Sequence, residues 1–445
     1  MITMLTSRSI ERAGPSGEDT RRHPESWYAA TAPHPPAANP LRESVITEYC
    51  VVGGGFAGLG AALRLAQSGK EVRLIEAGPI GWGASGRNGG QVHIGWNKEQ
   101  PWLEKHLGKP AAHAMWDIAL AARANLDTLL ALDPDHCEFR PGHIHADHKR
   151  GFVAETRAHV AHMREEYGYD ALRAVDGDEI RTLVASANYH GGSVDAGGGH
   201  LHPLKLALGM ARAAVAAGAK LHPHSPCLSI ERDGKAWRIT TPQGTIRAHK
   251  VLMATGGYAK GLLGEVDAHV LPINNYIATT APLDPARAAA LIAGNRAVSD
   301  SRFVVYYFRV TSDHRLLFGG GESYSYAMPA DIAGFVRPHM LRIFPQLHDV
   351  AIDHAWGGTL AITPQRLPYV REVQPNLWAC NGFSGVGVVL APYLGAALGE
   401  AMAGIESAAF ESLRRLPAPR FPGGPLLRWP TMVAALSFFA LRDRL

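Results

Sequence analysis

Gly53, Gly55 and Gly58 follow the apolar run Tyr49–Val52 and open the small-residue stretch FAGLGAALRLAQS. Their spacing is G-x-G-x-x-G. Each glycine has a separate task in a strand–turn–helix that grips a pyrophosphate. Gly53 permits the tight turn, Gly55 lets the phosphates approach the backbone, and Gly58 lets the helix pack against the strand. A helix N-terminus then offers free N–H groups and the positive end of its dipole. Glu76 stands 23 residues after Gly53, at the end of a second apolar run. A carboxylate there accepts hydrogen bonds from ribose hydroxyls and disfavours a 2′-phosphate, which argues against NADP.

The fingerprint alone leaves NAD and FAD open. Two further stretches favour FAD. GPIGWGASGRNGGQ (78–91) carries six glycines directly after Glu76, where a simple NAD-binding unit would continue as an ordinary helix. VLMATGG (251–257) is a short strand ending in small residues, placed to return beside the cofactor. No second nucleotide-binding fold is evident, since Gly319-Gly320-Gly321 lacks the third glycine and the helix. The substrate itself is therefore expected to reduce the flavin.

The elements that must hold these residues follow from periodicity. Strands are expected at 46–52, 71–76, 219–222, 251–254, 275–280, 302–310, 316–318, 351–356 and 377–379. Helices are expected at 56–68, 110–132, 156–167, 205–217, 330–343 and 388–403. The turn PQG joins a hairpin of 236–241 and 245–248. The order predicts an α/β fold: a Rossmann-like FAD-binding domain built from discontinuous segments (45–130, 190–265 and 355–410). An α+β substrate domain with a mainly antiparallel sheet is inserted (131–189 and 266–354). Residues 1–44 read as a largely irregular arm, and 411–445 as a tail with an apolar helix.

Composition narrows the function classes. A chain of 445 residues with 46% hydrophobic residues and a net charge of +4 shows no basic run that would suit nucleic acid. Cys50, Cys137, Cys227 and Cys380 have no CxxC spacing, so a reducing, cytoplasmic setting without disulfides is expected. The pairs His143/His145, His200/His202 and His222/His224 lack a nearby third ligand, and no metal is assigned. Trp429–Leu441 is apolar for 13 residues. That is too short to span a bilayer but suits a helix packed on the body or a peripheral membrane contact.

The chain resembles the FAD-dependent amino-acid and amine oxidoreductases of the D-amino-acid oxidase (DAO) superfamily, and within it the branch that oxidises gamma-glutamylputrescine. The stretches that carry this are SWYAATA (26–32), VVGGGFAGLGAAL (51–63), GWGASGRNGGQV (81–92), VLMATGGY (251–258), LPINNYIATTAPL (271–283), VVYYFRVTSDHRLLFGGGE (304–322), AITPQRLPYV (361–370) and NGFSGVGV (381–388). The resemblance implies a place for each cofactor residue. Gly53, Gly55, Phe56, Ala57 and Gly58 would hold the pyrophosphate, and Glu76 and Ala77 the ribose. Ala84, Ser85, Gly86, Arg87, Asn88, Gly89, Gly90 and Gln91 would pass the ribityl chain and flavin. Cys227 would sit near the adenine, and Thr255 and Gly256 against phosphate or ribose. Gly382, Phe383, Ser384, Gly385, Val386, Gly387 and Val388 would close over the isoalloxazine. The cysteine that binds FAD covalently in some members falls near Ala361 here, so non-covalent FAD is expected.

The chemistry implied is hydride transfer from the carbon beside a neutral amine to flavin N5, hydrolysis of the imine to aldehyde and ammonia, and reoxidation by oxygen with release of hydrogen peroxide. Gamma-glutamylputrescine is the favoured substrate, which implies polyamine breakdown. A dehydrogenase of the same fold, passing electrons to a quinone or carrier, is the alternative; a non-catalytic FAD-binding protein is a third reading. No side-chain base is assigned. Pocket candidates are Tyr306, Tyr307, Phe308 and Arg309, with His93, Trp96 and Trp356. Alternation points Tyr306 and Phe308 one way and Tyr307 and Arg309 the other. The aromatics could attract an incoming ammonium, and Arg309 could pair with a substrate carboxylate. The other reading of YYFR is ordinary sheet core and a structural arginine. Arg366 could hold the loop beside the flavin.

Overall fold

The computed structural model describes residues 19–133, 135–258, 261–323 and 327–422. Its strands, in chain order, are β1 Ser44–Val52, β2 Val72–Ile75, β3 Gln91–Val92, β4 Arg140–Ala146, β5 Leu172–Val175, β6 Gly192–His200, β7 Lys220–His222, β8 Ser229–Asp233, β9 Ala236–Thr240, β10 Thr245–Met253, β11 Leu271–Thr280, β12 Ala297–Asp300, β13 Tyr307–Val310, β14 Leu316–Ser323, β15 Ile352–Ile362, β16 Tyr369–Gln374 and β17 Leu377–Asn381. They form two sheets.

The first sheet runs β16-β17-β10-β1-β2-β7, with β9 on β10 and β8 on β9. The contacts β17-β10, β10-β1, β1-β2 and β2-β7 are all parallel. A parallel sheet buries both faces, which is why the end of β1 is an apolar run and β2 is apolar but for Arg73, rather than alternating. Chain order reverses between β1 and β10, so their carboxyl ends flank a crevice of the kind that binds ligands in open α/β sheets. The helix Phe56–Gln67 leaves β1 through the glycine turn and packs on the helix Gly387–Ala403. Small residues allow close contact here: a Cβ on Gly60 would lie 2.1 Å from the Pro392 carbonyl, and one on Gly395 2.0 Å from that of Ala57.

The second sheet runs β15-β11-β14-β13-β12-β4-β6-β3, with β5 on β6. It is antiparallel except for β12 beside β4. One face, with Tyr306, Phe308 and Phe318, packs under the helix Ile332–Ile343. The other contributes Ile277, Leu317 and Trp356 to the main core shared with the first sheet.

Strand pairing redraws the expected domain segments. Residues 91–92, 192–200 and 352–362 pair into the second sheet, although the division by sequence placed most of them in the first unit. The 302–310 strand is shorter, starting at Tyr307 after the bend at 301–304. The hairpin strand 245–248 and the strand 251–254 are one strand, β10. The arm is partly structured. Trp27–Thr31 is a short helix capped by the Ser26 hydroxyl, with Trp27 and Tyr28 in the core. The apolar tail at 429–441 lies outside the described residues. Among the described residues no helix is long and apolar enough to cross a membrane.

Candidate active site

The glycine turn sits at the β1–β10 crevice as its residue types require. Gly53 has φ +114°, and a Cβ there would lie 2.4 Å from the Ala254 carbonyl. A Cβ on Gly58 would lie 1.9 Å from the Gly53 carbonyl. A side chain at either position would force the turn open. The Gly54 N–H donates to Glu76 Oε2 at 2.6 Å and the Gly78 N–H to Glu76 Oε1 at 3.0 Å. Burial raises the Glu76 carboxyl above its ordinary value, against the lowering effect of these N–H donors. Cys227 lies just past β7, beyond Ser225, whose N–H donates to the Glu76 carbonyl at 2.7 Å. Burial pushes its thiol up to about 12, so it stays protonated. Ala77 is exposed beside Glu76.

The 84–91 segment turns back over this cradle. Ala84–Gly86 is a short 3-10 turn, and Ser85 Oγ accepts the Phe56 N–H at 2.9 Å, tying the loop to the helix start. Asn88 braces the turn through the Ala84 and Ser85 carbonyls, both at 3.0 Å, and accepts the Gly90 N–H at 2.8 Å. Arg87 is buried, lies over the Trp82 ring, and donates to the carbonyls of Trp82 and Gly357. Gln91 donates to the Val298 carbonyl at 2.6 Å. Opposite, the Gly256 N–H donates to Asn381 Oδ1 at 2.7 Å while Asn381 Nδ2 donates to the Met253 carbonyl. Thr255 and Gly256 are thereby held against the glycine turn.

The loop after β17 completes the enclosure. Gly382 (φ +76°) abuts the Thr363 methyl, Gly385 (φ +98°) faces open space, and Gly387 starts the long helix. Phe383 and Val386 pack against the main core, and Val388 lies within it. Ser384 takes φ +51°, which is costly for a non-glycine residue. Bonds on three sides hold it: its N–H to the Ala361 carbonyl at 2.9 Å, its Oγ accepting the Thr363 N–H at 3.3 Å, and its carbonyl accepting Asn97 Nδ2 at 2.8 Å. Arg366 (φ +63°) lies in the turn after β15, its N–H on the Thr363 carbonyl and its guanidinium over the Phe303 ring.

These residues fit a dinucleotide. Glycines occupy the positions that a Cβ would fill, the N-cap residue Gly55 puts no side chain over the helix start, and a half-buried carboxylate stands where a ribose would be gripped. Two small-residue loops meet beyond it, with room at Gly385.

The pocket candidates separate into two groups. Alternation along β13 is as expected, and it removes Tyr306 and Phe308 from the site. Both lie in the far-side core of the second sheet, Tyr306 bonded to His339 at 2.7 Å. Arg309 is only 2% exposed. Its Nε donates to the Gly89 carbonyl and its Nη2 to the Leu201 carbonyl and the Tyr28 hydroxyl. It is an internal strut, not a carboxylate receptor facing a pocket. Trp96 is core, its indole N–H on the Met115 carbonyl. Trp356 lies behind the glycine-rich loop, its N–H on the Arg87 carbonyl.

Tyr307 and His93 remain. The half-buried Tyr307 ring lies between a glycine of the 84–91 loop and one of β14. A Cβ on Gly89 would come within 2.6 Å of it and one on Gly319 within 2.0 Å. Its hydroxyl donates to Asn275 Oδ1. The triplet Gly319–Gly321 is thus a seat for aromatic rings, with Tyr306 over Gly320 and Phe335 over Gly321. His93 keeps accessible surface although Val92 and Ile94 on either side are buried. Its ring meets the buried His143 ring at 5.8 Å, and desolvation pulls its pKa below the usual histidine value. The imidazole is therefore neutral at pH 7.

Sequence reasoning passed over Asn381, Asn97, Tyr28 and Tyr258. Asn381 and Asn97 hold the two loops. Tyr28 receives Arg309, and Tyr258 accepts the Thr359 N–H at 2.8 Å. Asn381, fully buried, was the most legible of these in the sequence, as the polar residue that ends an apolar strand.

A family model described as FAD dependent oxidoreductase (DAO) matches residues 48–401. A probable oxidoreductase OrdL of Rhizobium meliloti is 41% identical, over 94% of this chain and 97% of that protein. The gamma-glutamylputrescine oxidoreductase of Escherichia coli is 34% identical, over 95% of this chain and 99% of that protein. Among solved structures, glycine oxidase from Geobacillus kaustophilus shares the fold with a TM-score of 0.70 at 22% identity, covering 84% of this chain and 99% of that one.

Proposed function

Because the chain belongs to the DAO family of FAD-dependent oxidoreductases, we propose that it oxidises a gamma-glutamylated diamine, gamma-glutamylputrescine in the first instance, and passes the electrons to oxygen. The observation that carries the substrate class is the end-to-end similarity to a gamma-glutamylputrescine oxidoreductase. FAD supplies the two-electron acceptor.

The chain's own residues do the rest. The helix start at Phe56–Gly58 and the Glu76 carboxylate hold the pyrophosphate and ribose. The loops 84–91 and 382–388 shape the flavin's seat. Tyr307, fixed against Gly89, offers a ring face to the substrate amine. Desolvation beside it favours the neutral amine, which is the form able to lose hydride. His93, neutral for the same reason, adds no opposing charge to the pocket.

The test is a comparison of kcat/KM, by peroxide release, for gamma-glutamylputrescine, putrescine, sarcosine, glycine and D-amino acids. A preference of at least about 100-fold for the glutamylated diamine over putrescine is expected, since the truncated substrate forgoes the binding energy of that remote group. Equal or better turnover of glycine or sarcosine would replace the substrate class. Turnover of gamma-glutamylputrescine with a dye acceptor but without peroxide would replace oxygen by a carrier.

A further inference from the structure

Three arginines among the described residues are buried: Arg73 at 8% exposure, Arg87 at 2% and Arg309 at 2%. Arg87 and Arg309 direct their N–H groups onto backbone carbonyls. Arg73, on β2, differs. Its Nη1 meets His222 Nε2 at 3.2 Å, and its Nε has no hydrogen-bond partner. No carboxylate of the described residues forms an ion pair with it. His222 is no counterion. Its Nδ1 lies 3.1 Å from the Asn39 carbonyl and so carries the ring hydrogen, leaving Nε2 as the acceptor for Arg73. Buried charges are normally paired, because desolvating a lone ion costs several kcal/mol.

Arg73 and His222 line a groove of about 700 Å³ at the β7 edge of the parallel sheet. Arg42 and Lys220, both exposed, stand on its rim with the exposed Glu43. Three fixed positive charges therefore face one carboxylate. The groove is outside the cofactor cradle, although the two share a strand end: the Glu76 N–H donates to the His222 carbonyl at 3.0 Å.

We propose that this groove binds a small dianionic oxyanion, a phosphate monoester or a dicarboxylate, with Arg73 as its buried clamp and Arg42 and Lys220 as its rim. A guanidinium matches two oxygens of such a group at once. The excess of two positive charges matches a dianion, and the exposed rim makes the affinity sensitive to salt.

The test is calorimetric titration of the FAD-loaded protein with inorganic phosphate and, separately, with succinate, at low ionic strength. Wild type is compared with Arg73→Met and with the double variant Arg42→Ala/Lys220→Ala. The rim variant alters only exposed side chains, so it serves even if Arg73→Met does not fold. Saturable one-site binding of at least one anion is expected, weakened at least roughly tenfold in the rim variant and lost in Arg73→Met, with the flavin absorbance unchanged. Binding of phosphate alone assigns a phosphoryl ligand, and binding of succinate alone a dicarboxylate. Absence of saturable binding by either anion would overturn the proposal. So would equal affinity in wild type and the rim variant, the mark of an adventitious ion only.

Discussion

Arg309 Nε donates to the Gly89 carbonyl at 3.0 Å, across 220 positions of the chain. One buried guanidinium thus joins the second sheet to the glycine-rich loop of the first, and through Tyr28 to the N-terminal helix. The loop that must pass the flavin is held from the substrate side.

Arg309→Lys is therefore expected to act on stability and flavin retention. A lysine cannot serve the Gly89 and Leu201 carbonyls and the Tyr28 hydroxyl together, and each orphaned group costs about 1–3 kcal/mol. Urea unfolding of the FAD-loaded variant should show a loss in that range, with some flavin released. Wild-type stability with a raised KM alone would mean that Arg309 meets substrate after all.

Glu76→Gln removes the ionised acceptor without changing the shape of the side chain. Hydrogen bonds to a charged group contribute about 1.5–3 kcal/mol, so FAD affinity should fall roughly 10- to 100-fold. Fluorescence titration of apoprotein with FAD measures it. An unchanged Kd would remove Glu76 from the cradle.

Gly58→Ala places a methyl 1.9 Å from the Gly53 carbonyl. Relief requires the helix to move off β1, at about 1–3 kcal/mol, and the phosphate turn moves with it. The variant should purify with little flavin and a lowered Tm. Gly69→Ala meets nothing within 4 Å and stands at a helix end away from the cradle, so it should keep its flavin.

Acid should destabilise the protein through its buried histidines. Burial holds His143 and His202 well below 6.5 and His200 at about 3. A group with a depressed folded pKa binds fewer protons in the folded state, so stability rises with pH until the unfolded pKa is passed. Their contribution is complete above pH 6.5 and is lost as pH falls through 6.5 toward 3. Urea unfolding between pH 7.5 and 4.5 should show proton uptake on unfolding that grows below pH 6.5. His200→Gln should reduce that uptake by about one proton. No reduction would place His200 in water.

The βαβ unit, the phosphate turn and the long helices were legible because each is specified locally, by apolar period and by glycine spacing. β6 was not. GSVDAGGGH has poor strand propensity, and pairing on both edges with β4, β5 and β3 makes it a strand. The roles of Arg309 and Trp356 were hidden for a related reason. Whether an arginine or tryptophan faces a pocket or a backbone carbonyl depends on partners about 100 to nearly 300 residues away. Tyr306, Tyr307 and Phe308 shared one motif, and only the register of β13 against β14 separates the ring beside the cofactor loop from the two in the core.

The central claim is that a glutamylated diamine alone reduces the bound flavin. Anaerobic stopped-flow mixing of the FAD-loaded protein with gamma-glutamylputrescine, followed at the flavin absorbance near ~450 nm, tests it most directly. The account predicts complete bleaching in a single turnover, a rate at least about 100-fold above that with putrescine, and prompt return of colour with peroxide when oxygen is admitted. A yellow protein that gamma-glutamylputrescine fails to bleach, but that glycine or sarcosine does, would contradict it.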